Sequence, residues 1–201
     1  ESTDIGRIKL SQEQFSKMPS LLSEPDVIKV LQMQPGVSQG MEGFAGLYVH
    51  GGEDDQNLFL FDGLPLYQVS HLGGIFSSFN VAAISGADFF KTSFPSQYGG
   101  RISSITEILM RDSNKNKYTG ELSLGLICGN AFVSGPLVKD KTGFSLGVRR
   151  TWLDAISAPT LAIMNAIDKS KGKKTMAGYA FTDLNVKIDH SFSPSLNASV
   201  M

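Results

Sequence analysis

Gly51-Gly52-Glu53-Asp54-Asp55-Gln56-Asn57-Leu58-Phe59-Leu60-Phe61-Asp62-Gly63, followed downstream by Phe94-Pro95-Ser96-Gln97-Tyr98-Gly99-Gly100-Arg101, is the pair of blocks on which the fold turns. Leu58 to Phe61 is an apolar run, and Asp62-Gly63 tolerates the positive φ of a tight turn. With Leu64-Pro65-Leu66 it therefore reads as a hairpin. Pro65 has no N–H to give to a ladder, which consigns the second arm to an edge or a bulge. The pairs Gly51-Gly52, Gly73-Gly74 and Gly99-Gly100 mark points where the backbone takes a positive φ or approaches another surface closely.

Upstream, Ser11-Gln12-Glu13-Gln14 has the spacing of a capping box, since the Ser hydroxyl and the Gln side chain satisfy reciprocal orphan amides; it opens a brief helix through Met18, which Pro19 breaks. Ser23-Glu24-Pro25-Asp26 is a second start signal, with a cap, a proline in the first turn and acids near the positive end of the dipole. That helix carries Val27, Ile28, Val30 and Leu31 and ends at Pro35-Gly36. Strands are expected at Leu47-Tyr48-Val49, Ala87 to Lys91 and Ile102 to Met110, making residues 1–112 a compact α+β unit.

From Tyr118 the grammar becomes strict alternation, which sends successive side chains to opposite faces of a sheet. Leu122, Leu124 and Leu126 alternate with Glu121, Ser123 and Gly125; Phe144, Leu146 and Val148 with Ser145, Gly147 and Arg149. Leu184, Val186 and Ile188 alternate with Asp183, Asn185, Lys187 and Asp189, and Leu196, Ala198 and Val200 with Asn197 and Ser199. Asn130 to Val138 makes one further, less regular strand. A soluble sandwich and a lipid-facing barrel both produce this dyad. The connections favour the barrel: Lys139-Asp140-Lys141 and Ser193-Pro194-Ser195 are short turns, whereas 153–178 is long and irregular, the rim asymmetry of an outer-membrane barrel. Tyr118, Trp152, Tyr179 and Phe181 fall near strand ends, where an interfacial aromatic girdle would sit. Bacterial barrels need about eight strands or more, so the strands expected here are a fragment of a larger wall.

Composition excludes several classes. With 41% hydrophobic and 18% charged residues over 201 positions the chain buries a core and is not disordered. A net charge of −1 without a long basic run leaves no obvious footprint for nucleic acid. His50, His71 and His190 are too scattered, and Cys128 too solitary, to make a zinc set or an internal disulfide. No apolar run approaches the roughly 18 residues of a membrane helix. No Gly-x-Ser-x-Gly or His-Glu-x-x-His segment orders a catalytic group, so no enzyme and no cofactor are expected. Glu53, Asp54 and Asp55 read as a solvated acidic turn. The N-terminal Glu1-Ser2-Thr3-Asp4 carries no signal-peptide pattern.

In order and spacing, Gln34-Pro35-Gly36-Val37, the Gly51-Gly52 turn, Asp55-Gln56-Asn57, Asp62-Gly63-Leu64-Pro65, Phe94-Pro95 to Arg101 and the Gly135-Pro136-Leu137 to Arg149-Arg150 hairpin resemble TonB-dependent outer-membrane receptors, of the Bacteroidetes-like type. The resemblance implies a plug domain at 1–112, followed at 113–201 by antiparallel strands opening a transmembrane β-barrel in the Gram-negative outer membrane. It also implies uptake of a nutrient ligand, driven by TonB with ExbB and ExbD, contact with outer-membrane lipids, and room for a surface lipoprotein partner.

The resemblance further implies that Arg101, after Gly99-Gly100, pairs with barrel carboxylates and holds the plug, and that Tyr67, Gln68 and His71 lie on a plug apex that meets extracellular ligand. At His50 the chain departs from the arginine more often found there, which removes a second expected locking pair. Within 153–178, Leu161, Ala162, Ile163, Met164 and Ile167 suggest a short amphipathic helix before the basic stretch Lys169 to Lys174. The rival reading is a non-transporting surface or periplasmic ligand-binding module whose strands form a soluble β-sandwich.

Overall fold

A computed structural model of the chain describes residues 6–17, 25–40, 46–168, 178–193 and 195–201. In chain order the elements are β1 (Arg7–Ser11), α1 (Gln12–Lys17), α2 (Val27–Gln32), β2 (Val37–Gln39), β3 (Leu47–Val49), β4 (Asn57–Phe61), β5 (Leu64–Leu66), β6 (Ser70–His71), β7 (Phe76–Ser77), β8 (Ile84–Phe90), β9 (Ser104–Met110), β10 (Thr119–Leu124), β11 (Cys128–Val138), β12 (Thr142–Thr151), α3 (Leu153–Asp168), β13 (Thr182–Ser193) and β14 (Leu196–Val200). They build two larger sheets. One is mixed, in the order β1-β8-β9-β4-β5, with β4 and β9 parallel; the other is an antiparallel meander, β10-β11-β12-β13-β14. Short ribbons pair β2 with β3 and β6 with β7.

The apolar run Leu58 to Phe61 is explained by its place next to β9, because both faces of β4 are covered. Phe59 and Phe61 join the main core with Leu10, Phe15, Ile28, Leu31 and Ile108, while Leu60 turns the other way, onto Phe90 and Ile105. Asp62 (φ 46) and Gly63 (φ 82) make the expected hairpin turn, and β5, with Pro65, is the sheet's edge. The Ser11 box forms as the spacing dictates: the Ser11 N–H donates to Gln14 Oε1 at 2.8 Å.

Three local expectations are corrected. The cap of α2 is Asp26, whose Oδ1 accepts from the Ile28 and Lys29 N–H groups at 2.9 and 3.3 Å. A helix opening at Ser23 would need the residue before Pro25 in the α region, which the proline ring disfavours. Asp54 is not a free solvated acid, because its Oδ1 accepts the Leu47 N–H at 2.8 Å and ties the turn to β3. The part of the connection after β12 that is described is not irregular up to Asp168: α3 runs for 16 residues from Leu153, longer than the short helix expected, with Pro159 inside it. Pro19, Ser23, Glu24, Lys169 to Lys174 and Pro194 fall outside the described residues.

The alternation from Tyr118 resolves into two faces. On the outward face Leu122 is 72% and Leu184 64% exposed, with Leu124, Val186, Ile188 and Val200 also exposed. On the inward face Asn130, Phe132, Ser134, Ser145, Arg149 and Lys187 are buried against the N-terminal unit. The meander therefore wraps that unit with its polar phase and presents its apolar phase outward. Phe132 enters the main core. Gly147 stands where a Cβ would lie 2.6 Å from the Ala83 Cβ, so only a glycine lets wall and unit approach this closely. Gly147→Val should overpack the contact and lower unfolding stability by about 1–3 kcal/mol, read as a lower midpoint in chemical denaturation. An unchanged midpoint would mean that the two layers are not held at that spacing.

Candidate functional site

Polar groups concentrate where the meander meets the N-terminal unit. Arg149 lies on the inward phase of β12 and Asp183 faces it directly across the ladder on β13. The guanidinium, 1% exposed, donates from Nε to Asp183 Oδ2 at 2.8 Å and reaches across to the Ser77 carbonyl at 2.6 Å and the Phe79 carbonyl at 3.2 Å. Its planar fork suits this task, since one charge meets a carboxylate and two backbone acceptors at once. Ser77 is itself fixed, because its N–H donates to Asp26 Oδ2 at 3.1 Å. The acid that caps α2 thus also places the carbonyl that Arg149 grips.

His71 completes the group. Its Nε2 lies 2.7 Å from Asp183 Oδ1, and its ring stacks on Phe181 with centroids 4.2 Å apart. Phe181 is buried with Phe76, Ile127 and Cys128, so it faces the N-terminal unit and is not part of an outward girdle. Closing Thr151 N–H to the Phe181 carbonyl, and Phe181 N–H to Thr151 Oγ1, turns the ring inward.

A second ionic group lies farther along β13. Lys187 Nζ is 3.0 Å from Asp62 Oδ2 and 2.9 Å from Asp112 Oδ1. Asp62 is held for this by the Met110 N–H, which donates to its other oxygen at 2.8 Å. Asp189, next on the same phase, accepts the Ser113 N–H at 2.9 Å. Beside these, Arg111 donates to the Ala82 carbonyl at 3.1 Å and to Glu121 Oε2 on β10 at 3.0 Å, with its guanidinium 4.3 Å above the Phe132 ring. These charges saturate one another and nearby backbone groups. Chemically the arrangement is a seal between two layers, not a set of reactive groups.

The residues singled out by sequence are only partly gathered. Tyr67 and Arg101 line one groove of about 500 Å³ together with Leu58, Leu60, Tyr98 and Glu107. Tyr67 is 87% exposed, and Arg101 is exposed with Nη1 donating to the Gly100 carbonyl at 3.0 Å. In the same groove Tyr98 donates to Glu107, and burial together with that bond pushes its phenol above the ordinary tyrosine range. Gln68 turns back toward the Ser70 carbonyl at 3.4 Å, and His71 is engaged by β13. His50 (φ 49) ends the strand at an exposed turn, its N–H on the Gly36 carbonyl at 3.1 Å. The ion pairs of Arg149 and Lys187 were not anticipated, though the signal was present: each is a charge on the polar phase of an alternating strand.

A family model described as "TonB-dependent Receptor Plug Domain" matches residues 9–104. Residues 9–104 are a TonB-dependent receptor plug domain. The same chain superposes on the siderophore receptor PirA from Acinetobacter baumannii at 18% identity and a TM-score of 0.65, over 98% of this chain and 31% of that one. It is similar also to PirA from Pseudomonas aeruginosa (14% identity, TM-score 0.62, 96% and 32%) and to the ferric yersiniabactin uptake receptor FyuA from Yersinia pestis (14%, 0.57, 94% and 29%). The chain thus spans about a third of the length of the solved receptors it matches. No curated protein matches the sequence. The strands after the plug match the N-terminal part of TonB-dependent barrels, so β10–β14 are wall strands and the Arg149 and Lys187 groups join plug to wall.

Removing one member of a buried ion pair strands the other, so Arg149→Met should leave Asp183 with His71 alone and destabilise plug docking by about 3–5 kcal/mol. Arg149→Lys keeps the charge but loses the fork, and should fall between wild type and Arg149→Met. Protease sensitivity of the plug in the folded full-length protein measures both; equal resistance in all three would remove Arg149 from the seal.

Proposed function

We propose that this chain is the plug and opening wall of a TonB-dependent receptor in the Gram-negative outer membrane, which takes up a nutrient ligand actively. The observation that carries the reading is the division of the meander into two faces. Its outward face is an apolar surface that needs lipid, and its inward face is a polar surface already closed on the plug. A soluble sandwich requires the opposite, with Leu122, Leu124, Leu184 and Val186 packed against another sheet and not exposed. In this reading TonB, with ExbB and ExbD, draws on the chain before β1, and the pull loosens the seal made by Arg149, Asp183 and Lys187. In this reading the plug runs over 1–112 and the wall begins at 113. A surface lipoprotein over the outer rim is compatible with this assembly, and no residue is assigned a catalytic role.

Two site proposals follow from it. Arg101, exposed at the groove it shares with Tyr67, pairs with a carboxylate of the barrel wall. Tyr67, Gln68 and the accessible edge of His71 meet the extracellular ligand.

Expressed with its native signal, the full-length protein should fractionate with the outer membrane, and recovery in the soluble periplasmic fraction would defeat the proposal. Growth of a receptor-deletion strain on single nutrient sources should identify one source whose use returns with the receptor and is lost again when tonB is deleted. Use that survives tonB deletion would argue for passive passage. On the identified source, Tyr67→Ala should weaken ligand binding more than Arg101→Ala does, because only the former touches ligand in this scheme.

A further inference from the structure

The helix α3 has its amphipathicity reversed. Leu153, Asp154, Ser157, Leu161 and Asn165 are half-buried and share the face turned toward the protein, and three of these five are polar. The opposite face carries Ala155, Ile156, Pro159, Ala162, Ile163 and Ala166, all exposed, with Ile163 at 63%. A helix bordered by water on that side would place its polar residues there. The medium that suits that face of α3 is therefore apolar.

What that medium is follows from where the helix starts. Arg150 ends the outward phase of β12, across from Gly129, which in turn lies across from the exposed Leu124. The Trp152 ring lies over Gly129, where a Cβ would meet it at 2.9 Å, and its indole N–H donates to the Leu126 carbonyl at 2.8 Å. Arginine and tryptophan at the top of an apolar strand face are the pattern of a bilayer interface, and α3 begins at the next residue. The start of α3 thus sits at the rim of the lipid-facing side of the wall, with Leu153 packed on the protein side, opposite the apolar face, against Phe76, Ile127 and Phe181. Pro159 cannot donate to the Ala155 carbonyl, so that face also carries a backbone acceptor needing water nearby, which suits the headgroup boundary better than the hydrocarbon centre.

We propose that α3 lies in the outer-leaflet interface and buries the face of Ile156, Ala162 and Ile163 in lipid, anchoring the first long loop of the wall sideways on the membrane. The proposal rests on the outer-membrane reading above, and its test separates the two. Single cysteines carrying a nitroxide are placed at Ile156 and Ile163 on the exposed face, at Ser157 and Asn165 on the protein face, and at Leu146 and Val186 on the wall, in the full-length receptor reconstituted in phosphatidylethanolamine and phosphatidylglycerol vesicles. The native Cys128 is buried, and receptor without an added cysteine serves as the labelling control.

Collisions with oxygen should exceed those with a water-soluble nickel chelate several-fold at Ile156→Cys and Ile163→Cys, and both should be low at Ser157→Cys and Asn165→Cys. Nickel exceeding oxygen at the first two places the face in water. Low collisions with both quenchers place it under protein, whether another loop or a partner. Either result overturns the inference while oxygen remains dominant at Leu146→Cys and Val186→Cys. If the two wall sites also favour nickel, it is the membrane reading itself that fails.

Discussion

A single guanidinium, shut away from solvent between two layers of the chain, sets the terms for everything around it. Arg149 cannot stay charged in such a place unless every N–H it offers finds an acceptor, and the acceptors come from both layers: Asp183 on the wall, the Ser77 and Phe79 carbonyls on the plug. The segment carrying the Ser77 carbonyl is held in part by Asp26, which caps α2 with one oxygen and accepts the Ser77 N–H with the other. Local helix chemistry near the start of the plug is thereby coupled, through one serine, to a charge on a strand more than a hundred residues later. Such a seal is strong while intact and costly to leave half-made, because withdrawing one member strands a buried charge.

The two ionic groups divide the interface between them. Arg149, Asp183 and His71 lie near the α3 ends of β12 and β13, whereas Lys187 meets Asp62 and Asp112 farther toward the short turn. Between them the contact is steric, with Gly147 against Ala83 and Phe132 entering the plug's own core. Polar pairs at both ends fix the register of plug on wall, and the close-packed middle fixes their distance. Neither layer would be complete alone, because the inward phase of the wall has too many charges to face an empty space.

Much of this was legible in the sequence. Strict alternation gave both faces of the wall, since a period of two leaves no freedom about which side chains share a surface. The Asp62-Gly63 hairpin, the Ser11 box and the glycine turns also formed as their chemistry requires. What sequence could not supply was pairing across distance. Nothing in Asp183 announces His71, and an arginine on the polar phase of a strand, as Arg149 is, has the same sequence pattern whether it meets water or is buried against another layer. The length of α3 was missed because Pro159 and Ser157 interrupt an apolar pattern that helix geometry, once begun at Leu153, carries through. Phe181 was misplaced because an aromatic at a strand end fits a girdle and a core equally well, and only the hydrogen bonds with Thr151 decide its direction.

The strand order of the plug has a mechanical meaning. At the N-terminal side lies β1, an edge strand joined to the sheet on one side only, fastened at its outer end by the Lys91 N–H on the Gly6 carbonyl at 3.2 Å and by the Arg7–Asp88 ion pair at 2.7 Å. The parallel contact of β4 with β9 lies deeper and is covered on both faces, so it bears strain last. The domain is therefore graded, with its least enclosed pairing at the rim and its most enclosed at the middle.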